Sequence, residues 1–253
     1  MLAKRGSSYW QKAIRTEPSS NQTPTFDDTA ARIENTTRAQ QSTLRSQVAS
    51  RERFRCPITR SFCNNRKKVL QNKGLEVPGE PYDLMETAHI IPSLLNKFDP
   101  KTNPAAEAAH TWDMFRSWTN LDLEKFVGSK INTPANAIYM EIGTHRHFGH
   151  FGFYLDKDAF PSDPNKYGLR VLDSFKMFNN SMVVDFATTN DLGEPIDPPD
   201  PELLRIHAAL AQVLHISGAA DYLESVERVC DDYGTLAPTG ETDIGLLLSL
   251  RLP

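Results

Sequence analysis

The sequence predicts an α+β fold, and three observations carry that reading. Two short apolar strand patterns, at 83–91 and 137–142, stand on either side of a helix pattern at 104–127. A polar helix-forming stretch precedes them, at 31–52. A clearly amphipathic one follows, at 202–216. Strand and helix periods are thus mixed along one chain.

Taken in order, 1–16 is basic and free of acids, which reads as a flexible basic arm in preference to a weak targeting signal. Residues 17–30, rich in Ser, Thr and Pro, read as linker. The 31–52 stretch has helix composition without a strong apolar stripe, so an exposed or loosely docked helix is expected. A compact element opens at 54–59, and the basic, Gly- and Pro-containing segment 67–81 reads as a surface loop. The strand at 83–91 is ended by Pro92, which cannot continue a ladder. Between the strands, Ala105, Ala108, Ala109, Trp112, Phe115 and Trp118 recur at helical spacing and read as core. Gly143 breaks the second strand, and Thr144 is the expected N-cap of a short helix through Phe148.

Further strands are expected near 151–155, 167–173 and 181–187. The Pro-rich run 193–201 reads as a stiff linker, with Asp200-Pro201 as a cap and first-turn proline. The next helix places Leu203, Ile206, Leu210, Val213 and Leu214 on one face. Two shorter helices are expected at 219–230 and 241–252. The chain therefore divides into a basic, partly disordered arm (1–53), a core (54–160), and short strands with a helical extension (161–253). That extension is expected to complete the core or to form a dimer interface.

Several classes are excluded or disfavoured. No apolar run approaches the ~20 residues a membrane helix needs, so no membrane partner is expected. Cys56, Cys63 and Cys230 form neither a disulfide framework nor a zinc pattern, and an odd count without a secretory signal points to an intracellular setting, cytoplasmic or nuclear. Net charge is -4. Its distribution is uneven: residues 1–76 hold about 15 Lys and Arg against about 6 Asp and Glu. A basic front half suits a phosphate backbone, and it equally suits a solvated segment with no partner.

The chemistry lies in one ordered series: a strand with His89, then Asn136, then a strand followed by His145 on a helix. Hydrolysis of a phosphodiester needs an activated water and compensation of charge growing on the leaving oxygen. A neutral imidazole serves the first need, and a histidine-held divalent cation serves the second. An amide can pin the loop carrying the imidazole without titrating itself.

Residues 86–92 (Glu-Thr-Ala-His-Ile-Ile-Pro) resemble the AHIIP motif of HNH (His-Me finger) endonuclease domains, especially a large fungal group. Asn136 through His145 with Phe148 resembles that group's second half, and Cys56-Pro57-Ile58-Thr59 its short opening element. The resemblance extends over about 54–230, including the helical stretch after Pro198. It implies a ββα-metal core, here with a helical insertion and a helical C-terminal extension. It also implies metal-dependent endonuclease activity on nucleic acid, DNA in preference to RNA. By resemblance, His89 is the general base, Asn136 orients it, and His145 is the metal ligand. One divalent ion is implied, Mg²⁺ or a transition metal such as Mn²⁺, Ni²⁺ or Zn²⁺.

Two positions depart from the family pattern. Ala88 stands where many members have an acid or His, and Gly149 where relatives often have a polar group. Glu86, two residues before Ala88 on the same strand face, is the candidate second ligand. Arg51, Arg53, Arg55, Arg60, Arg66, Lys67 and Lys68 supply the candidate nucleic-acid surface, with Arg60, Arg66, Lys67, Lys68 and His147 singled out for phosphate contact. No sequence-specific reader is evident. Two other readings stay open: a repurposed scaffold acting as an interaction module, and an acid–base enzyme on a small molecule.

Overall fold

The computed structural model describes residues 38–92, 128–173 and 178–222, together with Ser117, Thr119 and Phe126. The expected arm and linker at 1–30, the aromatic helix at 104–127 apart from those three residues, and the last two helices beyond Tyr222 lie outside the described residues. The described part mixes helix and strand, as an α+β fold requires.

At its centre, β3 (Met85–His89) pairs antiparallel with β4 (Ala137–Glu141), and helix α3 (Ile142–Gly149) follows directly. The register sets His89 opposite Ala137 and Glu86 opposite Met140. Before this unit come α1 (Arg38–Arg51), β1 (Phe62–Cys63), α2 (Asn64–Asn72) and β2 (Tyr82–Asp83), with β1 and β2 forming a two-residue parallel pair. After it, β5 (Phe153–Asp156), β6 (Lys166–Val171) and β7 (Val183–Asp185) make an antiparallel sheet against which α4 (Pro201–Ile216) packs. Apolar residues from α1 to α4 share one buried cluster.

Three local expectations need correction. Helix α1 is firmly docked on β3 and β4: Leu44, Val48 and Arg51 recur at i, i+4 and i+7 and are all buried. The stripe escaped the sequence reading because its third member is an arginine. Four of its five guanidinium donors are bonded, with Nε donating to Glu52 Oε1 (2.7 Å), Nη1 to Pro134 O and Asp197 O (both 2.8 Å), and Nη2 to Ala137 O (2.7 Å). Burial pulls the Arg51 pKa down and Glu52 opposes that shift, while burial raises Glu52 against the pull of Arg51. The expected loop at 67–81 is helical through Asn72; α2 has no buried residue, so no apolar periodicity announces it.

The third correction concerns α3. Its N-cap is Glu141, not Thr144, and the carboxylate accepts from Gly143 N (2.8 Å) and Thr144 N (3.3 Å). Gly143 does not break the chain's regularity; it gives the carboxylate room, since a Cβ there would stand 2.8 Å from Glu141 Oε1. By contrast, α4 starts as the sequence indicates, with Asp200 Oδ1 accepting from Glu202 N (2.8 Å) and Leu203 N (3.4 Å).

Candidate active site

The strand pairing places His89 at the end of β3, half-buried, beside the turn that feeds β4. Its Nε2 lies 3.0 Å from Asn132 Oδ1. An amide oxygen only accepts, so the contact is an Nε2–H donation, and the lone pair of the neutral ring then resides on Nδ1. Asn132 escaped the sequence reading; its position in the Asn-Thr-Pro turn before Asn136 was the available signal. The same amide's Nδ2 is buried and has no hydrogen-bond partner among the described residues.

Asn136 is fully buried and works on the backbone rather than on the ring. Its Oδ1 accepts from Ile91 N (2.8 Å), and its Nδ2 donates to Ile91 O and Ile131 O (both 3.1 Å). Ile90 N also donates to Asn136 O (3.0 Å). One side chain thus ties the segment just after His89 to the turn that carries Asn132.

His145 sits on the first half of α3, and its Nδ1 lies 2.7 Å from Glu86 Oε2 on β3. Both side chains are part-exposed. The Glu141 cap fixes the start of α3 and hence the height at which His145 meets the strand. Helix and hairpin therefore bring Glu86 and His145 together, with His89 three residues along the same strand.

Residues 56–156 match a family model described as HNH endonuclease. Over this segment, 101 of the 253 residues, the chain is similar to that family. No curated protein and no solved structure matches the chain. The HNH segment runs from Cys56 to Asp156, so it takes in the hairpin, α3 and β5, while α1 and α4 are packed on it from outside the match.

HNH nucleases use a divalent cation, and the donor set here can be tested for it. Among the described residues no three His, Cys, Asp or Glu side chains converge. Two do: a carboxylate on the Nδ1 side of His145 leaves Nε2 as the donor atom, an arrangement that orients metal-bound imidazoles. A single imidazole so oriented fits a cation that keeps most of its positions for water and phosphate oxygen.

The basic residues of the HNH segment and its approach are sorted by their partners. Arg51 is buried, so it belongs to the core and not to a nucleic-acid surface. Arg55 is held by Glu80 (Nε 3.1 Å, Nη2 3.0 Å), Arg66 lies over Phe54 (4.2 Å), and Lys67 over Tyr82 (3.5 Å). Lys68 is exposed on α2, and Arg60 is exposed in the 56–60 turn. His147 is packed inward, stacked near Phe153 (5.9 Å) and tilted against Phe178 (5.7 Å). No described helix is long and apolar enough to cross a membrane.

Proposed function

We propose that this chain is a metal-dependent endonuclease that hydrolyses phosphodiester bonds of nucleic acid, DNA in preference to RNA. The observation that carries the reading is the 2.7 Å contact of His145 with Glu86 on the strand that ends in His89, within a segment matching an endonuclease family. In this reading His89 is the general base. Asn132 takes the Nε2 proton in a hydrogen bond, so Nδ1 accepts the proton of the attacking water. Asn136 fixes the segment beyond His89 and so limits where the ring can stand. His145 would hold the divalent cation, Mg²⁺ or a transition ion, through Nε2, with Glu86 fixing its ring through Nδ1–H; the ion when bound neutralises charge developing on phosphate and leaving oxygens. Arg60, Arg66, Lys67 and Lys68 belong to the face offered to the backbone, with Arg66 and Lys67 doubling as packing residues.

The test is nicking of supercoiled plasmid by the full chain with Mg²⁺, Mn²⁺, Ni²⁺ or Zn²⁺ in turn, beside His89→Ala and His145→Ala. Metal-dependent nicking that both substitutions abolish is the expected result. Folded protein that nicks with none of these ions sinks the proposal. It would favour a repurposed scaffold.

A further inference from the structure

We infer that a second site, an arginine cleft beside the hairpin, binds a phosphate of the nucleic-acid backbone through Arg53 and Arg60. That the phosphate belongs to a polymer rests on the nuclease reading; that the cleft is an anion site does not. The cleft has a volume of about 630 Å³, and its walls include Arg51, Glu52, Arg53, Arg55, Arg60 and Asp185. None of the residues assigned to proton transfer or metal binding lines it.

Its arginines are not equivalent. Arg51 forms the floor, with four of its donors consumed by Glu52 and three backbone carbonyls. Arg55 is fixed by Glu80 and lies 5.1 Å from the Phe62 ring. Arg53 and Arg60 are exposed, and neither makes a side-chain hydrogen bond or salt bridge within the described residues. Glu52 is paired to Arg51 and also attracts Arg60, and Asp185 is the other carboxylate; the four arginines of the wall outnumber these two acids. Guanidinium forks suit phosphate because two parallel N–H donors meet two oxygens.

The backbone reinforces the assignment. Arg53 (φ 51°), Phe54 (φ 61°) and Arg60 (φ 64°) all stand in the left-handed region, where glycine fits best. Hydrogen bonds hold the turn in place, among them Phe54 N to Ala49 O (2.7 Å), Arg60 N to Cys56 O (2.9 Å) and Cys63 N to Phe54 O (2.8 Å). Arginine is thus kept at two positions where the backbone alone would favour glycine. The cleft is also close to the hairpin. Arg51 Nη2 donates to Ala137 O at 2.7 Å, and Ala137 is the strand partner of His89.

Arg53→Gly and Arg60→Gly test this without a folding artefact, because glycine relieves the left-handed strain. A fluorescein-labelled DNA duplex is titrated with full-length protein in EDTA, between about 50 and 200 mM salt. Thermal melts check folding, and Arg205→Ala on α4 serves as a charge control. Each Gly variant is expected to flatten the slope of log K against log salt by about 0.9, and the double variant by about 1.8. A double variant with the wild-type slope, or a wild type that binds no duplex, overturns the inference. Inorganic phosphate stabilising the wild type but not the double variant, with no duplex bound, assigns the cleft to free phosphate and overturns the polymer part. Nicking with an unchanged slope removes the cleft and leaves the nuclease; a flattened slope without nicking does the reverse.

Discussion

Two pairs of histidines show how differently one fold can use an imidazole. His89 and His145 face the hairpin, are half-buried, and meet polar side chains, Asn132 and Glu86. His207 and His215 come from α4 and meet main-chain carbonyls, Phe148 O and Phe151 O, each at 3.1 Å. His207 is also sandwiched between rings, with centroids 3.8 Å from Phe148 and 4.9 Å from Phe151. Burial among them pushes its pKa down to about 4, only partly offset by the carbonyl. An imidazole locked between rings and bound to a carbonyl closes a helix end and docks α4. One held by a polar side chain at a half-open edge can exchange protons with what enters. The partner, rather than the histidine, separates packing from chemistry.

The sharpest way to break this comparison is to exchange the fates of the two classes. His89→Ala is expected to lower the nicking rate by about 10²–10⁴-fold with little change in melting temperature. His207→Phe, which keeps a ring between Phe148 and Phe151, should leave the rate of the same order. Equal losses of rate in both would mean that the site and the α4 dock are one machine. Second in size is Arg51→Met, which strands Glu52 in the core and leaves four donor bonds unmade. Urea unfolding should show a loss of about 3–5 kcal/mol. Adding Glu52→Gln should recover part of it; no recovery would show that the carbonyl bonds, not the buried pair, dominate.

A pH titration of stability sharpens the contrast further. His207 titrates near 6.5 when unfolded and is held near 4 in the fold. Between these values the unfolded chain binds the extra proton, so this term is fully present above pH 6.5 and is lost as pH falls toward 4. The shift corresponds to about 3 kcal/mol. His207→Phe should therefore flatten stability against pH in that window relative to wild type. If the two curves stay parallel, His207 is not held neutral.

What was legible in the sequence follows the same division. The hairpin strands, the order His89, Asn136, His145 and the Asp200 cap could be read because each is local: a period, a motif or a cap with its proline. Asn132 was invisible because its meaning is a contact across 43 residues. Arg51 was read as surface charge because its partners, Pro134, Ala137 and Asp197, are remote in sequence and are backbone carbonyls. The role of Glu141 was hidden by its place at the end of a strand, where a charged residue reads as a solvent-facing position.

That last case yields the smallest and most local prediction. In an ordinary helix, Gly→Ala gains about 0.5–1 kcal/mol from backbone entropy. At Gly143 the added Cβ would meet Glu141 Oε1 at 2.8 Å and push the carboxylate off the amides it caps. Losing a cap costs about 1 kcal/mol. The two terms nearly cancel, so Gly143→Ala alone should move stability by only a few tenths of a kcal/mol. In a Glu141→Ala background there is no cap left to displace, and the same substitution should gain its full helix-propensity value. A double-mutant cycle by urea unfolding reads the difference as a coupling of about 1 kcal/mol. Zero coupling would mean that the carboxylate can shift aside and still cap α3. The helix start, and with it the reach of His145 to Glu86, would then be set by the hairpin alone.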